Sequence, residues 1–418
     1  MAKNAFYAQS GGVTSVINVS ASAVIETARA HRDKIQTVYA GENGIIGALT
    51  ENLIDTAQFS EAQVAALKHT PGGAFGSCRY KLKGLNENRR EYERLIEVFD
   101  AHDIGYFFYN GGNDSQDTAH KVSLIAQELN YPVTCIGIPK TIDNDLPITD
   151  TCPGFGSVAK YIGTSILECG LDVKAMSLST KVFIMEVMGR HAGWIAAAAG
   201  LAAKDESQAP HIILFPEVTF NEDRFLAKVK QCVADYGYCV IAVSEGIKNP
   251  DGKFLAETGT TDAFGHSQLG GVAATISQIV KDKLGFKNHY AIADYMQRSA
   301  RHIASKTDFD QAYSVAKAAV EFAVAGKSGV MPVIVRESDA PYQWSIGEAF
   351  LDKIANVEKT MPENFISEDG FHITEKARAY LQPLTEGEAF PPFKNGLPDY
   401  ERLNYVLVDK KLAPFSLK

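Results

Sequence analysis

The segment 139–145 carries the side chains best suited to chemistry, because it places Lys140 shortly before Asp143 and Asp145. In an extended backbone the two aspartates lie on one face, so one carboxylate could accept a proton while the other orients water or Mg²⁺. A lysine beside them is the expected partner of a phosphoryl group in transfer. An aspartate-rich turn built around Asn144 would have the same composition, and these residues alone leave both interpretations open.

A glycine pair upstream could supply the surface on which a phosphate rests. Gly111 and Gly112 follow the apolar run 104–109, which predicts a buried strand, and precede the amphipathic pattern 114–130, which predicts a helix. At such a turn backbone N–H groups can approach an anion, and the helix dipole adds favourable potential. Glycine-rich turns also occur in α/β proteins without a bound phosphate, so this pair alone does not decide the matter.

A second glycine pair, Gly11 and Gly12, lies between a predicted strand at 5–9 and a predicted helix at 13–31. Two turns of this kind suggest one extended polyphosphate site. A further strand, predicted at 133–138, leads directly into the lysine and the aspartates, and open α/β sheets bind ligands at the carboxyl ends of their strands. We therefore expect three strand ends to converge on one crevice.

The rest of the chain continues the alternation of strands and helices. The patterns predict strands at 181–187, 211–215 and 239–244 and helices at 192–203 and 221–236. This alternation predicts an α/β fold with mostly parallel sheets and helices on both faces. Residues 248–270 are rich in Gly, Asp and Thr, which predicts a mobile connection.

Taken together, the motifs resemble those of the phosphofructokinase family, and in particular its pyrophosphate-dependent branch. The matching stretches occur in the family's order, and they are 11–12, 76–79, 111–115, 139–145, 188–190, 244–246 and 295–298. The resemblance covers roughly residues 5 to 340 and implies two Rossmann-like domains with mostly parallel sheets. It assigns 1–145 and 296–345 to a phosphoryl-donor domain, 146–295 to a sugar-phosphate domain, and 346–418 to a C-terminal extension that packs on the domains.

The resemblance also implies roles for individual residues. Asp143 would be the base that takes the proton from the sugar 1-hydroxyl, and Lys140, Asp114 and Arg190 would be the other catalytic residues. The expected substrate-binding residues are Gly12, Arg79, Thr141, Ile142, Asp143, Lys181, Met188, Gly189, Arg190, Glu245, Tyr295, Met296, Gln297 and Arg298.

Two of these positions bear on the phosphoryl donor. In the ATP-using branch, glycines occupy the places held here by Asp114 and Lys140. The carboxylate of Asp114 would stand where the α-phosphate of a nucleotide lies, so ATP would be excluded while the shorter pyrophosphate still fits. The cation of Lys140 would stabilise the donor and the charge that develops in the transition state.

The resemblance implies Mg²⁺ as the cofactor, but the ligand set departs from the family. Asn113 stands where an aspartate associated with Mg²⁺ is usual, and a neutral amide is a poorer ligand for a hard cation. Asn113 is therefore one candidate ligand, and Asp114, Asp143 and Asp145 are the others.

Lys181 occupies a position where the family commonly has an arginine that reaches in from a neighbouring subunit. Lysine keeps the positive charge but loses the bidentate geometry of a guanidinium group. The resemblance therefore implies a homodimer in which the sugar site is completed in trans. His289 falls near a second such arginine, and we assign it no role.

Composition limits the class of protein. The chain has 418 residues, a formal net charge of −9 and 45% hydrophobic residues, and a pI near 5.6. This size predicts two domains, and the acidity argues against nucleic-acid binding. No stretch reads as a membrane span or signal peptide. The six cysteines show no metal or redox spacing and are expected to be reduced, which predicts a cytoplasmic enzyme. The acidic charge and the lack of a long apolar run predict no nucleic-acid or membrane partner.

The leading hypothesis is a Mg²⁺-dependent glycolytic enzyme that reversibly phosphorylates fructose 6-phosphate to fructose 1,6-bisphosphate, with pyrophosphate as donor and phosphate as product. One alternative is a related kinase that uses ATP or prefers sedoheptulose 7-phosphate. Another is a non-catalytic sugar-phosphate sensor with the same fold, although such a sensor would have no use for a base beside the 1-hydroxyl.

Overall fold

The structure, a computed structural model, describes residues 2–261 and 267–417. Its strands are β1 (Lys3–Gln9), β2 (Ile35–Gly41), β3 (Leu53–Asp55), β4 (Ile104–Gly111), β5 (Thr134–Pro139), β6 (Val182–Val187), β7 (Ile212–Leu214), β8 (Cys239–Ser244), β9 (Glu257–Thr261), β10 (Ser267–Leu269), β11 (Asn288–Ile292), β12 (Val330–Asp339), β13 (Tyr342–Phe350), β14 (Phe393–Lys394) and β15 (Leu397–Pro398). Its α-helices are α1 (Ile17–Ala30), α2 (Ile45–Leu49), α3 (Glu61–Leu67), α4 (Arg89–Ala101), α5 (Asn113–Glu128), α6 (Phe155–Ala175), α7 (Trp194–Ala199), α8 (Glu222–Tyr236), α9 (Val272–Leu284), α10 (Asp294–Ser299), α11 (Lys306–Val324) and α12 (Glu375–Leu381).

The larger sheet has seven strands in the order β13-β12-β5-β4-β1-β2-β3. Its central strands are parallel, and β3 and β13 are antiparallel to their neighbours at the two edges. In register, Gln9 of β1 stands beside Asn110 of β4, and Asn110 stands beside Ile138 of β5. The three strands therefore end at the same level, as the sequence predicts, and the loops that follow them share one edge of the sheet.

The smaller sheet has four parallel strands in the order β11-β6-β8-β7. All of them lie between β5 and β12 in the chain, so the smaller sheet is an insertion in the larger one. Near-continuous burial along β6 and β8 explains why their sequences are apolar runs rather than alternating patterns. The α/β class with mostly parallel sheets is confirmed.

Helix α1 begins at Ile17, later than the start predicted at residue 13. The N–H of Gly11 bonds the carbonyl of Cys78 at 2.9 Å, and the N–H of Ile17 bonds the carbonyl of Thr14 at 3.3 Å. The intervening residues therefore form a loop and a turn before the helix begins. The helix predicted at 192–203 is α7 followed by a 3₁₀ turn at Gly200–Ala202.

The predicted domain boundary at residue 345 falls inside β13, which pairs with β12 as far as Phe350. Because β13 is hydrogen-bonded to β12 along this length, the larger sheet continues beyond residue 345. The connection predicted at 248–270 contains the paired strands β9 and β10, and residues 262–266 lie outside the described part of the chain.

The C-terminal extension packs against both sheets. Its first part buries Leu351 with the larger sheet, and its middle part buries Phe365 and Leu381 with the smaller one. The chain then returns to the larger sheet, where Leu412 and Phe415 pack.

The end of the extension is anchored by Glu51. Its side chain accepts hydrogen bonds from the backbone N–H groups of Lys411 and Leu412 at 2.6 and 3.1 Å, and Nε2 of His102 lies 2.7 Å from it. Burial opposes ionisation of Glu51, but these hydrogen bonds outweigh it and lower the pKa of the carboxyl.

All six cysteines are free thiols. Within 2–261 and 267–417, no helix has the length and apolar character needed to cross a membrane.

Candidate active site

A cleft of about 1170 Å³ lies between the two sheets. On one side it is lined by the loops after β1, β4 and β5, which carry both glycine pairs and the lysine–aspartate segment. On the other side it is lined by residues that follow β6 and β8 and by α10. The volume is slightly above that of a typical small-molecule site.

Three cationic side chains lie close to the first glycine pair. Nζ of Lys140 donates a hydrogen bond to the carbonyl of Gly12 at 2.7 Å. A methyl carbon built on Gly12 would lie 2.5 Å from Nη1 of Arg298 and 4.0 Å from Nη2 of Arg79. A side chain at this position would displace the guanidinium group of Arg298, so glycine leaves this space to the cation. The three cations form a cradle for an anionic ligand.

The surroundings of Lys140 lower the pKa of its ammonium group. Burial lowers its pKa to about 8, the positive charges of Arg298 and Arg79 act in the same direction, and the carboxylate of Asp143 opposes them. The ammonium form still predominates at neutral pH. Lys140 can therefore bind a phosphate as a cation, although its pKa of about 8 lies close to neutral pH.

Three buried carboxyl groups of the cleft have pKa values above their usual range. Burial raises the pKa of Asp143, and the nearby charges of Lys140 and Arg190 partly offset this effect. Burial and the charge of Asp143 raise the pKa of Asp145 to about 7 and also that of Glu245 to about 7. A carboxyl whose pKa lies above its usual range is a stronger base than an exposed one, which suits Asp143 for accepting a hydroxyl proton.

Asp114 lies in the first turn of α5, beside the second glycine pair. Its Oδ1 is 2.6 Å from Nζ of Lys81, and both side chains line the cleft. Lys81 was not expected from the sequence, although it stands two residues after Arg79. The ion pair holds the carboxylate of Asp114 at the wall of the cleft.

Asn113 is held by the C-terminal extension, which alters the metal hypothesis. Its Oδ1 accepts a hydrogen bond from the backbone N–H of Asn356 at 2.5 Å, and its Nδ2 donates to the carbonyl of Val357. The amide is thus used to fix the extension, and Asn113 is the weakest of the four candidate ligands. Asp145 is stronger, because its Oδ1 is buried without a hydrogen-bond partner.

On the side of the cleft formed by the smaller sheet, hydrogen bonds organise the loop after β6. The N–H of Met188 bonds Oε1 of Gln297 at 3.2 Å, and the N–H of Gly189 bonds Oε1 of Glu245 at 3.3 Å. Gly189 has a φ of +133°, which only glycine adopts readily, and this turn directs Arg190 into the cleft.

Most of the expected residues meet in the cleft. Those that line it are Gly12, Arg79, Asn113, Asp114, Lys140, Thr141, Ile142, Asp143, Asp145, Met188, Arg190, Glu245, Tyr295, Gln297 and Arg298. Gly189 acts through its backbone, and Met296 has 58% of its surface exposed without lining the cleft. Arg298 stacks on Tyr295, with 3.8 Å between the guanidinium carbon and the ring centroid.

Lys181 does not line the cleft of its own chain. It stands just before β6, at the end of the strand opposite to Met188, and its Nζ bonds the carbonyl of Ser177 at 2.6 Å. At this location Lys181 does not reach the cleft of its own chain.

The cleft also contains residues that sequence reasoning missed. They are Ser10, Val13, Lys81, Glu186, Val187, His191, Ala192, Leu269, Gly270, Gly271, Ile292, Asp294, Asn356, Glu358, Lys359 and Thr360, whereas Gly11, Gly112 and Ser115 belong to the expected motifs and also line the cleft. Several of them adjoin the quoted motifs, so a wider reading of those motifs could have found them. The segment 356–360 carries no local signal, because it reaches the cleft through long-range packing.

The two aspartates after Lys140 fit a magnesium ion. Across the described residues, no three His, Cys, Asp or Glu side chains are grouped closely enough to hold a metal. Mg²⁺ commonly takes one or two carboxylates from the protein and fills its octahedron with phosphate oxygens and water. Asp143 and Asp145 supply that number, and the unpartnered Oδ1 of Asp145 is available for such a contact.

The chain has extensive similarity to known proteins. The phosphofructokinase family model matches residues 4–323. The chain is 63% identical over 413 residues to a pyrophosphate–fructose 6-phosphate 1-phosphotransferase of Methylococcus capsulatus. The alignment covers 99% of this chain and 98% of the relative. It is 60% identical over 415 residues to a protein of the same name from Halomonas elongata, with 99% of both chains covered. A crystal structure of a pyrophosphate-dependent phosphofructokinase from Marinobacter aquaeolei is 61% identical, with a TM-score of 0.92 and coverage of 99% of this chain and 100% of that one.

Proposed function

The chain belongs to the phosphofructokinase family, and we propose that it reversibly transfers a phosphoryl group between pyrophosphate and the 1-hydroxyl of fructose 6-phosphate. This reaction is a step of glycolysis, and it makes the protein a pyrophosphate-dependent 6-phosphofructokinase.

Two charged side chains of the cleft, Lys140 and Asp114, support pyrophosphate as the phosphoryl donor. Lys140 contacts the first glycine pair, and Asp114 stands at the second one, paired with Lys81. Lys140 favours a compact, highly charged donor. Asp114 disfavours a donor that continues past its second phosphate, because that part of a nucleotide would meet a carboxylate. Both effects select pyrophosphate over ATP.

Asp143 is the general base of the proposed mechanism. It accepts the proton of the sugar 1-hydroxyl as the oxygen attacks the nearer phosphorus of pyrophosphate. The bond from that phosphorus to the bridging oxygen breaks, and phosphate leaves. Lys140, Arg79 and Arg190 stabilise the negative charge on the oxygens of the donor and of the transferring group. Glu245 and the loop after β6 orient the sugar.

Mg²⁺ is the proposed cofactor, with Asp143 and Asp145 as the residues that would hold it. When bound, it would neutralise charge on the phosphate oxygens and favour their approach to the carboxylates. The protein's own side chains accept the proton and orient the sugar.

We also propose a homodimer in which Lys181 serves the sugar site of the partner. Exposed apolar side chains lie in the same region, on the outer face of α6, beyond its end and on the edge strand β11, and they are Leu171, Leu178, Tyr290 and Ile292. A second copy covering this face would bury them and carry Lys181 towards the other cleft. The proposed substrates, pyrophosphate and sugar phosphates, are water-soluble, and we expect the enzyme to act in the cytoplasm.

A donor and acceptor panel tests the function. Purified protein is assayed with pyrophosphate or ATP and with fructose 6-phosphate or sedoheptulose 7-phosphate, in the presence of Mg²⁺. We expect turnover with pyrophosphate and fructose 6-phosphate, and formation of pyrophosphate from fructose 1,6-bisphosphate and phosphate in the reverse direction. Sugar binding without turnover for any donor would contradict the proposal and indicate a sensor.

A further inference from the structure

The residue between the two active-site aspartates is held by the C-terminal extension. Asn144 is fully buried and has a φ of +54°, a left-handed conformation that is uncommon for residues other than glycine. Its Oδ1 accepts hydrogen bonds from the N–H of Cys152 at 3.0 Å and from Nζ of Lys359 at 3.3 Å. Its Nδ2 donates to the hydroxyl of Tyr380 at 2.9 Å.

Lys359 also binds three backbone carbonyls of the loop that follows Asn144. Its Nζ donates to the carbonyls of Thr149 at 3.1 Å and Asp150 at 2.9 Å. Its backbone N–H bonds the carbonyl of Asp145 at 2.6 Å. Burial lowers the pKa of Lys359, so its ammonium group depends on these acceptors for stabilisation.

Tyr380 closes the same network from α12. Its hydroxyl donates to the carbonyl of Asp150 at 2.6 Å while it accepts from Asn144. Arg336 bonds the carboxylate of Asp150 at 3.0 Å and the carbonyl of Tyr380 at 3.1 Å. The ring of Tyr380 packs on Trp194 with 5.3 Å between centroids, which places the network against the core of the smaller sheet.

We propose that Lys359 and Tyr380 are positioning residues for phosphoryl transfer, because they fix Asn144 and thereby the direction of the carboxylates on either side of it. A left-handed backbone at a buried asparagine persists where surrounding contacts determine it, and these two side chains supply such contacts. The inference rests on the proposed function for the role of Asp143, and it gives the C-terminal extension a part in catalysis.

The test compares Lys359→Met, Tyr380→Phe and the double variant with the wild type. Lys353→Met is the matched control, since this lysine lies in the same extension with 68% of its side chain exposed and is paired with Asp352. A shift of about 1 Å in a reacting group can cost about 100-fold in rate. We expect kcat to fall by about 10- to 100-fold for Lys359→Met and by about 3- to 10-fold for Tyr380→Phe, with the KM for fructose 6-phosphate within about threefold. The double variant should lose less than the product of the two factors, because both residues act through Asn144.

Amide hydrogen exchange supplies a readout that needs no turnover. Exchange over residues 143–152 should be faster in Lys359→Met and Tyr380→Phe than in the wild type and in Lys353→Met. A kcat within about twofold of wild type for a folded Lys359→Met variant, or for Tyr380→Phe should the lysine variant not fold, would overturn the proposal. Unchanged exchange over this loop would overturn it independently. A wild type inert with pyrophosphate would instead contradict the proposed function, so the two failures are distinguishable.

Discussion

The ammonium group of Lys140 lies 2.7 Å from the carbonyl oxygen of Gly12, which joins the loop after β5 to the loop after β1. The contact puts a cation on the surface where a donor phosphate would rest. Asp143 follows three residues later and raises the pKa of Lys140 against the effect of burial. The group that would bind the donor and the group that would accept the acceptor's proton are therefore electrostatically linked.

Removal of the proposed base should abolish transfer but spare sugar binding. We expect Asp143→Ala to lower kcat by about 10² to 10⁴, the usual cost of losing a general base, while the affinity for fructose 6-phosphate stays within a few-fold. The measurements are steady-state kinetics and direct binding of the sugar phosphate. Weak sugar binding with nearly normal turnover would be incompatible with the assigned role.

Deprotonation of Lys140 should cause the loss of activity on the alkaline side of the pH profile. The protonated form is the one that binds phosphate, so kcat/KM for pyrophosphate should fall as the pH rises through the pKa of about 8. Lys140→Arg should move this fall to higher pH, because a guanidinium group stays charged. Profiles of both proteins between about pH 6 and about pH 10 test the point, since titration of the substrates is common to both. An alkaline limb that stays in place in Lys140→Arg would assign it to another group.

Glu51 should stabilise the fold by holding the C-terminal end. We expect Glu51→Gln to lower stability by about 1–3 kcal/mol at neutral pH, because buried donors lose a charged acceptor. The folded state lowers the pKa of Glu51, so its contribution exists above the ordinary carboxyl pKa and disappears as the pH falls through the folded-state value. The difference in Tm between the proteins should accordingly shrink in acid.

The control for Glu51 is Glu375→Gln, since the side chain of Glu375 is 93% exposed. Its Tm should match that of the wild type across the same pH range. A Tm difference between Glu51→Gln and wild type that grows on acidification would reverse the predicted sign and contradict the anchoring role.

Mixed dimers test whether the sugar site is completed in trans. Lys181→Ala and Asp143→Ala should each be nearly inactive alone, because every site lacks one part. In a heterodimer of the two, one site carries both defects and the other carries neither. Co-refolding should restore activity to about half that of a wild-type dimer if the sites are independent. A fully active monomer, or heterodimers without recovery, would eliminate the trans arrangement.

The sequence predicted the parts of the site that are coded locally. Apolar runs located β1, β4 and β5, and the residues after each run identified the three loops that meet at the cleft. The predicted start of α1 was wrong. A hydrophobic pattern does not reveal that the N–H of Gly11 bonds the carbonyl of Cys78, so that the chain forms a loop before the helix begins.

Contacts between distant parts of the chain could not be predicted. Asn113 was considered as a metal ligand, whereas its amide binds the backbone at Asn356 and Val357. Lys359 is one residue among many in an extension without a recognisable motif. Its relation to Asn144 depends on how the extension folds back over both sheets, and no local pattern encodes that path.

The central claim is that Asp114 and Lys140 select the donor, and kcat/KM for pyrophosphate and for ATP tests it most directly. The measurement is made on the wild type, Asp114→Gly, Lys140→Gly and the double variant. We predict that the wild type uses pyrophosphate and is nearly inert with ATP. The double variant should gain activity with ATP, because the carboxylate no longer blocks the nucleotide, and lose activity with pyrophosphate. A wild type that prefers ATP, or a double variant whose donor preference is unchanged, would contradict the account.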